Sequence, residues 1–307
     1  MLDKLEFLLA LARERHFGKA AEACRVTQPT LSAAIKSLED QMGVMIVQRS
    51  SRFQGFTPEG ERILDWARRI VGDAKAMKQD VDAAKRGLHG HVRLAVIPTA
   101  LPMAARLTAP FLERHPGVEF TIQSRTSSDI LRFLESFEID AGLSYLDNEP
   151  LGHLRTVPLY DEEYRFLTRR GSPLADRASV SWEDISQVSL CLLTPDMQNR
   201  RIIDQMLRNA GHQQAPTVVS NSTIVLVSHV RTGRWATVLP PMLADSIGPV
   251  DELASIPIVD PSVHHSVGLV VPYREPATPM VNALVAEGRR LAKALAEEDS
   301  SAPPGAR

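Results

Sequence analysis

Thr27-Gln-Pro-Thr-Leu-Ser-Ala-Ala-Ile-Lys-Ser-Leu-Glu-Asp-Gln-Met-Gly43 is a helix with both of its ends marked in the sequence. Thr27 is a natural N-cap, Pro29 is tolerated in the first turn, and Gly43 offers the left-handed residue that stops a helix. Leu31, Ile35, Leu38 and Met42 recur at helical spacing, which predicts one buried stripe. The opposite face carries Pro29, Ala33, Lys36 and Asp40, flanked by Ser32 and Ser37. An ordinary solvent face bears long charged side chains. This one is low and lightly charged, which suits a helix lying close to a phosphate backbone and to base edges. Taken alone, the pattern fits a plain surface helix equally well.

Its neighbours tip the balance. Leu5, Leu8, Leu9 and Ala12 predict the inner face of a first helix that ends at His16-Phe17-Gly18. Lys19-Ala-Ala-Glu-Ala-Cys24 predicts a second, very short helix, and Arg25-Val26-Thr27 a tight turn. A short helix, a tight turn and a helix with a bare face make a helix-turn-helix. Downstream, Val44-Met-Ile-Val47 predicts a strand, Arg49-Ser-Ser-Arg-Phe-Gln-Gly55 a polar loop, and Phe56 the end of a second short strand. That hairpin would be a wing, with Arg49 and Arg52 in reach of phosphates. The expected DNA contacts are therefore Thr27, Gln28, Pro29, Thr30, Ser32, Ala33, Lys36, Arg49 and Arg52.

Residues 1–60 resemble the DNA-binding domain of LysR-type transcriptional regulators. The resemblance rests on Phe7-Leu8, Ala12, Phe17, Ala20-Ala21, Val26-Thr27-Gln28-Pro29, Ser32, Ile35, Leu38-Glu39, Gly43, Arg49, Arg52, Thr57 and Gly60, which span nearly the whole domain. Three positions depart from it: His16 replaces the usual serine, Cys24 a leucine, and Ile46-Val47 a Leu-Phe pair. All three are packing or loop positions, so they bear on local stability rather than on function.

Composition agrees with a regulator. The 307 residues, 44% hydrophobic and 23% charged, suffice for two or three cores. No apolar run approaches the ~20 residues that span a bilayer, and the N-terminus enters an amphipathic helix directly, so a cytoplasmic location is expected. Cys24 and Cys191 lie far apart in apolar surroundings and read as two ordinary thiols rather than a disulfide or metal pair. Residues 1–90 carry 15 Lys+Arg against 12 Asp+Glu, a balance of +3, leaving 20 against 25, or −5, for the remainder. DNA affinity must then come from placed charges and from dimerisation, not from bulk basicity.

Thr57-Pro-Glu-Gly-Glu61 starts a long helix. Ile63, Ile70, Met77 and Ala84 repeat every seven residues, and so do Ala67, Ala74, Val81 and Leu88. The two series interleave at spacings of four and three, the seam of a coiled coil. A helix of ~30 residues is ~45 Å long and cannot bury such a stripe on itself. Ile63, Ala67, Ile70, Ala74, Met77 and Val81 are therefore assigned to a dimer seam. The resemblance implies the same: a linker helix that presents two recognition helices to two half-sites.

Arg86-Gly-Leu-His-Gly90 breaks that helix, and strands and helices then alternate. Strands are expected at 92–97, 118–124, 140–145, 164–168, 189–193, 217–219, 236–239 and 266–271, and helices at 103–114, 128–138, 200–209, 223–232 and 280–296. The Val92 strand, Pro98-Thr99, His115-Pro116 and Ile139-Asp140-Ala141-Gly142-Leu143 resemble the effector domain of the same family. That implies two α/β subdomains like those of periplasmic binding proteins, the chain crossing near residue 161 and returning near 266. The expected division is residues 1–57, a winged helix-turn-helix; 58–87, the linker helix; and 91–298, the effector domain. Within the last, subdomain I is 91–161 with 267–298 and subdomain II is 162–266.

A ligand would sit between the subdomains, where strand-to-helix junctions offer free N–H groups to an anion. Thr99 and Ala100, Thr126, Ser127 and Ser128, Thr194 and Asn199, and Ser222 and Thr223 occupy four such junctions. Helix capping explains hydroxyls there as simply as ligand contact does. Arg125, Arg200 and Arg201 read as surface arginines. No nucleophile elbow, dinucleotide fingerprint or phosphate loop is present, and His264-His265 lacks partners at metal-ligand spacing. No catalytic residue, metal or cofactor is assigned, and neither an enzyme nor a periplasmic solute receptor accounts for the N-terminal module.

The expected protein is an effector-responsive transcription factor binding double-stranded DNA as a homo-oligomer. The resemblance implies a homotetramer acting at promoters, in contact with the DNA and with RNA polymerase. Ser144-Tyr-Leu-Asp-Asn-Glu-Pro150 and Thr156-Val-Pro-Leu-Tyr160 are similar to regulators found beside formate dehydrogenase operons, which points to a small carboxylate such as formate as effector.

Overall fold

Helices α1 (Leu2–Glu14), α2 (Phe17–Ala23), α3 (Gln28–Met42) and α4 (Pro58–Arg86) form the first of two units, residues 1–86. The computed structural model describes residues 1–48, 53–147, 150–211, 215–246 and 252–301. The ends of α3 are those the sequence predicts. The Thr27 side chain accepts from the Thr30 N–H, and Gly43 adopts φ 70° in the C-cap. Its inner face differs by one residue. Leu31, Ile35 and Leu38 are buried, but Met42 is 41% exposed and Glu39 is buried instead. The Glu39 carboxylate accepts the Ile46 and Val47 N–H groups at 2.8 and 3.1 Å, tying the end of α3 to the start of the wing. That wing is minimal: Val47 and Phe56 form an isolated antiparallel bridge rather than two strands. In α1 the buried residues are Leu5, Leu8, Ala10 and Leu11, with Leu9 and Ala12 only half-buried. Helix α2 starts two residues before its expected place, because the His16 ring accepts the Lys19 N–H and caps it there.

Helix α4 has two different halves. Leu64, Ala67 and Val71 are buried in the same core as α1, and Ile63 packs against them. The expected seam is therefore wrong at Ala67, which is fully buried within its own unit. Gly60 explains the closeness of that docking: a Cβ there would lie 2.1 Å from the Ile46 carbonyl oxygen. Farther along, Trp66, Ile70, Met77 and Val81 are exposed by 62, 43, 68 and 49%. Leu88 lies beyond the helix end and packs on the core of the second unit. The Ala84 side chain lies outside the described ones.

The second unit begins at Gly87. Its first sheet takes β1 (His89–Val96), β2 (Gly117–Ser124), β3 (Ala141–Tyr145), β4 (Leu154–Glu162) and β11 (His265–Pro272) in the order β2-β1-β3-β11-β4. Strands β1, β2 and β3 run parallel, while β11 is antiparallel to both β3 and β4. Helices α5 (Leu101–Arg114), α6 (Ser127–Glu135) and α11 (Pro279–Ser301) cover it. The Asp140 carboxylate receives the Arg93 backbone N–H at 2.8 Å and its guanidinium at 2.9 and 3.0 Å, locking β1 to the start of β3. Gly142 lets α6 settle on β3, since a Cβ would meet Ile130 at 2.4 Å.

The chain leaves this sheet at Glu162 and enters another at Arg165, with β5 (Arg165–Arg169), β6 (Val180–Ser181), β9 (Thr237–Leu239) and β10 (Leu253–Val259) in the order β6-β10-β5-β9. A parallel pair, β7 (Cys191–Leu193) and β8 (Val218–Ser220), adjoins it through the Leu190–Ala236 bridge. Helices α7 (Trp182–Ser186), α8 (Gln198–Asn209), α9 (Thr223–Arg231) and α10 (Pro241–Ser246) complete the unit. Five elements were not expected from the sequence: β4, β6, α7, α10 and β10.

Replacing Glu39 by alanine should orphan two buried N–H groups, at about 1–3 kcal/mol each. Glu39→Gln, which keeps one acceptor oxygen, should lose less. Hydrogen exchange at the Ile46 and Val47 amides measures this directly, and unchanged protection in Glu39→Ala would show that the carboxylate does not hold the wing.

Candidate functional site

The DNA-facing set is disposed as a group. Thr27, Gln28, Pro29, Thr30, Ala33 and Lys36 are exposed on α3, and Ser32 is half-buried between them and the core. Thr27 and Thr30 are tied to each other, Oγ1 to Oγ1 at 2.8 Å, so their hydroxyls are partly committed to holding the helix start. Gln28, Ala33 and Lys36 take no part in the unit's packing. Arg49 and Arg52 lie outside the described residues.

The junctions of the second unit sort into caps and buried polar groups. Thr126 is a plain cap, its hydroxyl accepting the Asp129 N–H at 3.0 Å. Ala100 caps α5 with no side-chain bond, and Ser222 caps α9 without one either. Thr194 is not at a helix start: α8 is capped by Met197, and the buried Thr194 hydroxyl has no hydrogen-bond partner. Ser127 and Thr223 are buried at the first turns of α6 and α9, while Ser128 is exposed. Arg200 corrects an expectation. It is buried, with Nε 2.7 Å from Asp204 and a terminal N–H donating to the Leu193 carbonyl at 2.7 Å.

Thr99 and Asn199 meet a cluster that the sequence did not announce. Where the chain passes between the sheets, Tyr145, Glu162 and Tyr164 are buried together with Thr99 and Asn199. The Tyr145 hydroxyl donates a short hydrogen bond to Glu162 Oε1 and lies 3.4 Å from both the Thr99 and the Tyr164 hydroxyls. Asn199 lies beside Tyr164, yet neither of its amide atoms completes a hydrogen bond, and Glu162 Oε2 is likewise unpartnered. His265, opposite Glu162 in the β4–β11 register, bonds Asp147 at 2.8 Å and stands edge-on to both tyrosine rings. Burial pushes the Glu162 carboxyl up to about 7, against hydroxyl hydrogen bonds that pull it down, with Asp147 adding to the rise. Burial and the neighbouring Glu162 hold the Tyr145 and Tyr164 phenols well above their usual range. The available signal was Tyr160-Asp-Glu-Glu-Tyr164, a run of acids between tyrosines at the crossing. An acidic run normally reads as a solvated surface, and only the strand pairing turns its middle residue inward.

The thiols sit elsewhere. Cys191 is buried in β7 against the Leu226 and Ala236 carbonyls, and desolvation pushes it up to about 11. Among the described residues no group of His, Cys, Asp or Glu could hold a metal ion, and no helix is long and apolar enough to cross a membrane.

Residues 2–61 match the family model of the bacterial regulatory helix-turn-helix protein, lysR family, and residues 85–293 match the LysR substrate binding domain. The chain belongs to the LysR family. It is a DNA-binding transcriptional regulator with an effector-binding domain. Similar proteins include the hydrogen peroxide-inducible genes activator of Dickeya chrysanthemi, 30% identical over 277 residues and covering 90% of both chains. The DNA-binding transcriptional dual regulator OxyR of Escherichia coli K12 is likewise 30% identical over 277 residues, covering 90% of both chains. Among solved structures, a full-length OxyR cysteine-to-aspartate variant from Pseudomonas aeruginosa superposes with a TM-score of 0.72 at 27% identity, covering 94% of this chain and 97% of that one. CbnR bound to its target DNA shares the fold, with a TM-score of 0.64 at 20% identity, covering 95% of this chain and 99% of that one.

Glu162 makes stability depend on pH. The folded carboxyl keeps its proton up to about 7, whereas the unfolded one loses it near 4.5, so the folded state binds the extra proton between those values. Its contribution is complete below pH 4.5 and is lost as pH rises to about 7. Glu162→Gln lacks this loss, so its stability relative to the natural protein should climb by on the order of 3 kcal/mol between pH 4.5 and 8. Urea unfolding at several pH values measures the trend, and a constant difference would remove the buried ionisation.

Proposed function

We propose that this regulator binds operator half-sites with α3 and pairs through the exposed half of α4, its DNA contacts being controlled by a small molecule held where the two α/β subdomains meet. The observation that carries this reading is the bare face of α3. Gln28, Ala33 and Lys36 stand exposed on a helix whose other side is fully used in packing. Gln28 supplies an amide for an adenine edge and Lys36 a charge for guanine or phosphate. Thr27, Pro29, Thr30 and Ser32 keep the helix start close to the backbone.

Pairing follows from the second half of α4. Trp66, Ile70, Ala74, Met77 and Val81 form one stripe, and a helix with that much exposed apolar surface needs a partner. A second copy of α4 fits it, because the heptad spacing of Ile70 and Met77 is that of a two-helix seam. Family membership supports a tetramer of two such dimers and promoter contacts that include RNA polymerase.

For the effector, Thr99, Ser127, Asn199 and Thr223 remain the junction residues of choice, joined by Tyr145, Glu162 and Tyr164. The expectation of a small carboxylate such as formate rests on helix N-termini, worth about 0.3–1 kcal/mol each toward an anion. Once ionised, above about pH 7, the buried Glu162 carboxylate opposes an anion by more than that. Peroxide sensing through a thiol draws no support, since a reactive cysteine needs thiolate character and burial pushes both Cys24 and Cys191 the other way.

Gel shifts test the DNA reading: Gln28→Ala and Lys36→Ala should each weaken operator binding by about 1–3 kcal/mol without changing the fold. Undiminished binding by both would move the interface off α3. Charging the seam is the second test. A Met77→Glu, Val81→Glu double variant should sediment as a smaller species and lose two-half-site binding, and an unchanged oligomer would place pairing elsewhere.

A further inference from the structure

Tyr145 donates its proton to Glu162 Oε1, and the Thr99 and Tyr164 hydroxyls lie 3.4 Å from the Tyr145 oxygen. What remains unpartnered there is Glu162 Oε2 and both amide atoms of Asn199, with Glu162 and Asn199 both nearly devoid of solvent contact. Unpartnered buried polar atoms are rare in folded proteins and call for an occupant. We propose that this crevice takes an organic cation through a primary ammonium group, which donates to Glu162 Oε2, to the Tyr164 oxygen and to the Asn199 carbonyl oxygen. The proposal rests on the reading of this crevice as the effector site and names the chemistry of its ligand.

Charge supports the choice. The groups facing Glu162 are Tyr145 at the end of β3 and Asp147 just beyond it, Tyr160 on β4, Tyr164 between β4 and β5, Thr99 before α5 and His265 on β11, with Asn199 on α8 beside Tyr164. None is a lysine or arginine. His265 is engaged with Asp147, so its charge, when present, is already met. An ammonium has three donors and no acceptor, which suits Glu162 Oε2, the Tyr164 oxygen and the Asn199 carbonyl oxygen. An anion would instead face the ionised Glu162 carboxylate above about pH 7. A cation bound here also favours ionised Glu162, so binding releases a proton wherever the empty site holds one.

The test is calorimetric titration of the full-length protein with butylammonium chloride, sodium butyrate and butanol as matched cationic, anionic and neutral probes. Butylammonium should bind once per chain. In buffers of different ionisation heat it should release protons below pH 7, and its affinity should drop about fivefold from pH 7 to pH 6. Glu162→Gln should abolish that binding while circular dichroism stays unchanged. Should Glu162→Gln misfold, Asn199→Asp decides, since an added carboxylate should tighten butylammonium binding by about tenfold; unchanged or weaker binding would overturn the proposal. So would no ammonium binding, equal ammonium binding to the natural protein and Glu162→Gln, or butyrate binding with proton uptake. Butyrate binding that is lost in Asn199→Ala would keep the crevice as the effector site and discard only the cation. Binding of any probe untouched by both the Glu162 and Asn199 substitutions would place the effector elsewhere and discard both readings.

Discussion

Two antiparallel strands carry the chain out of one sheet and back into it, and the arrangement of the effector domain depends on their pairing. Strand β4 ends at Glu162 and β11 begins at His265, directly opposite in register. The described elements between those residues are the second sheet, the β7–β8 pair and helices α7 to α10. The pairing is close enough to demand Gly268, where a Cβ would come within 2.4 Å of the Val157 carbonyl. It also forces an acidic side chain inward. Strand alternation that buries Val157 and Leu159 places Glu162 beyond a register shift, in the gap between the layers. The buried carboxyl is thus a product of how two sheets are joined, and the Tyr145 hydroxyl hydrogen-bonds it there.

The DNA-binding unit uses the same device on a smaller scale. Glu39 stands at a position that helical spacing would leave to an apolar residue, and it accepts from Ile46 and Val47, a stretch otherwise paired only through the Val47–Phe56 bridge. The helix-turn-helix therefore ends on a carboxylate, while its hydrophobic side is closed by α4 through Leu64, Ala67 and Val71.

Much of this was legible in the residues. Caps at Thr27 and Gly43, the stripe Leu31-Ile35-Leu38 and the alternation of strands with helices are local signals, and the elements they predict are present with ends displaced by only a few residues. The errors share one cause. Met42 and Ala67 fit their periodic patterns equally well on either side of the truth, and only tertiary docking decides which face is shut. Strand β4 escaped notice because Arg155, Pro158, Asp161 and Glu162 dilute its pattern, and β10 because Pro257 interrupts it. Of the candidate effector site, the helix-start hydroxyls were visible as sequence motifs. Tyr145, Glu162 and Tyr164 were not, since nothing local tells a buried acid from a solvated one. Long-range register supplies that distinction.

Helix α4 is sealed to the DNA-binding core at one end and bare along the other, which makes it a lever. Its 29 residues extend for roughly 43 Å at the rise of an α-helix. In a pair joined along the bare half, a tilt of about 5° at the joint sweeps the sealed end through roughly 4 Å, slightly more than the ~3.4 Å between successive base steps. Side chains at the joint would then act as the fulcrum of a caliper, and a repacking too slight to alter either fold would still decide whether two jaws span an operator or miss it by one step.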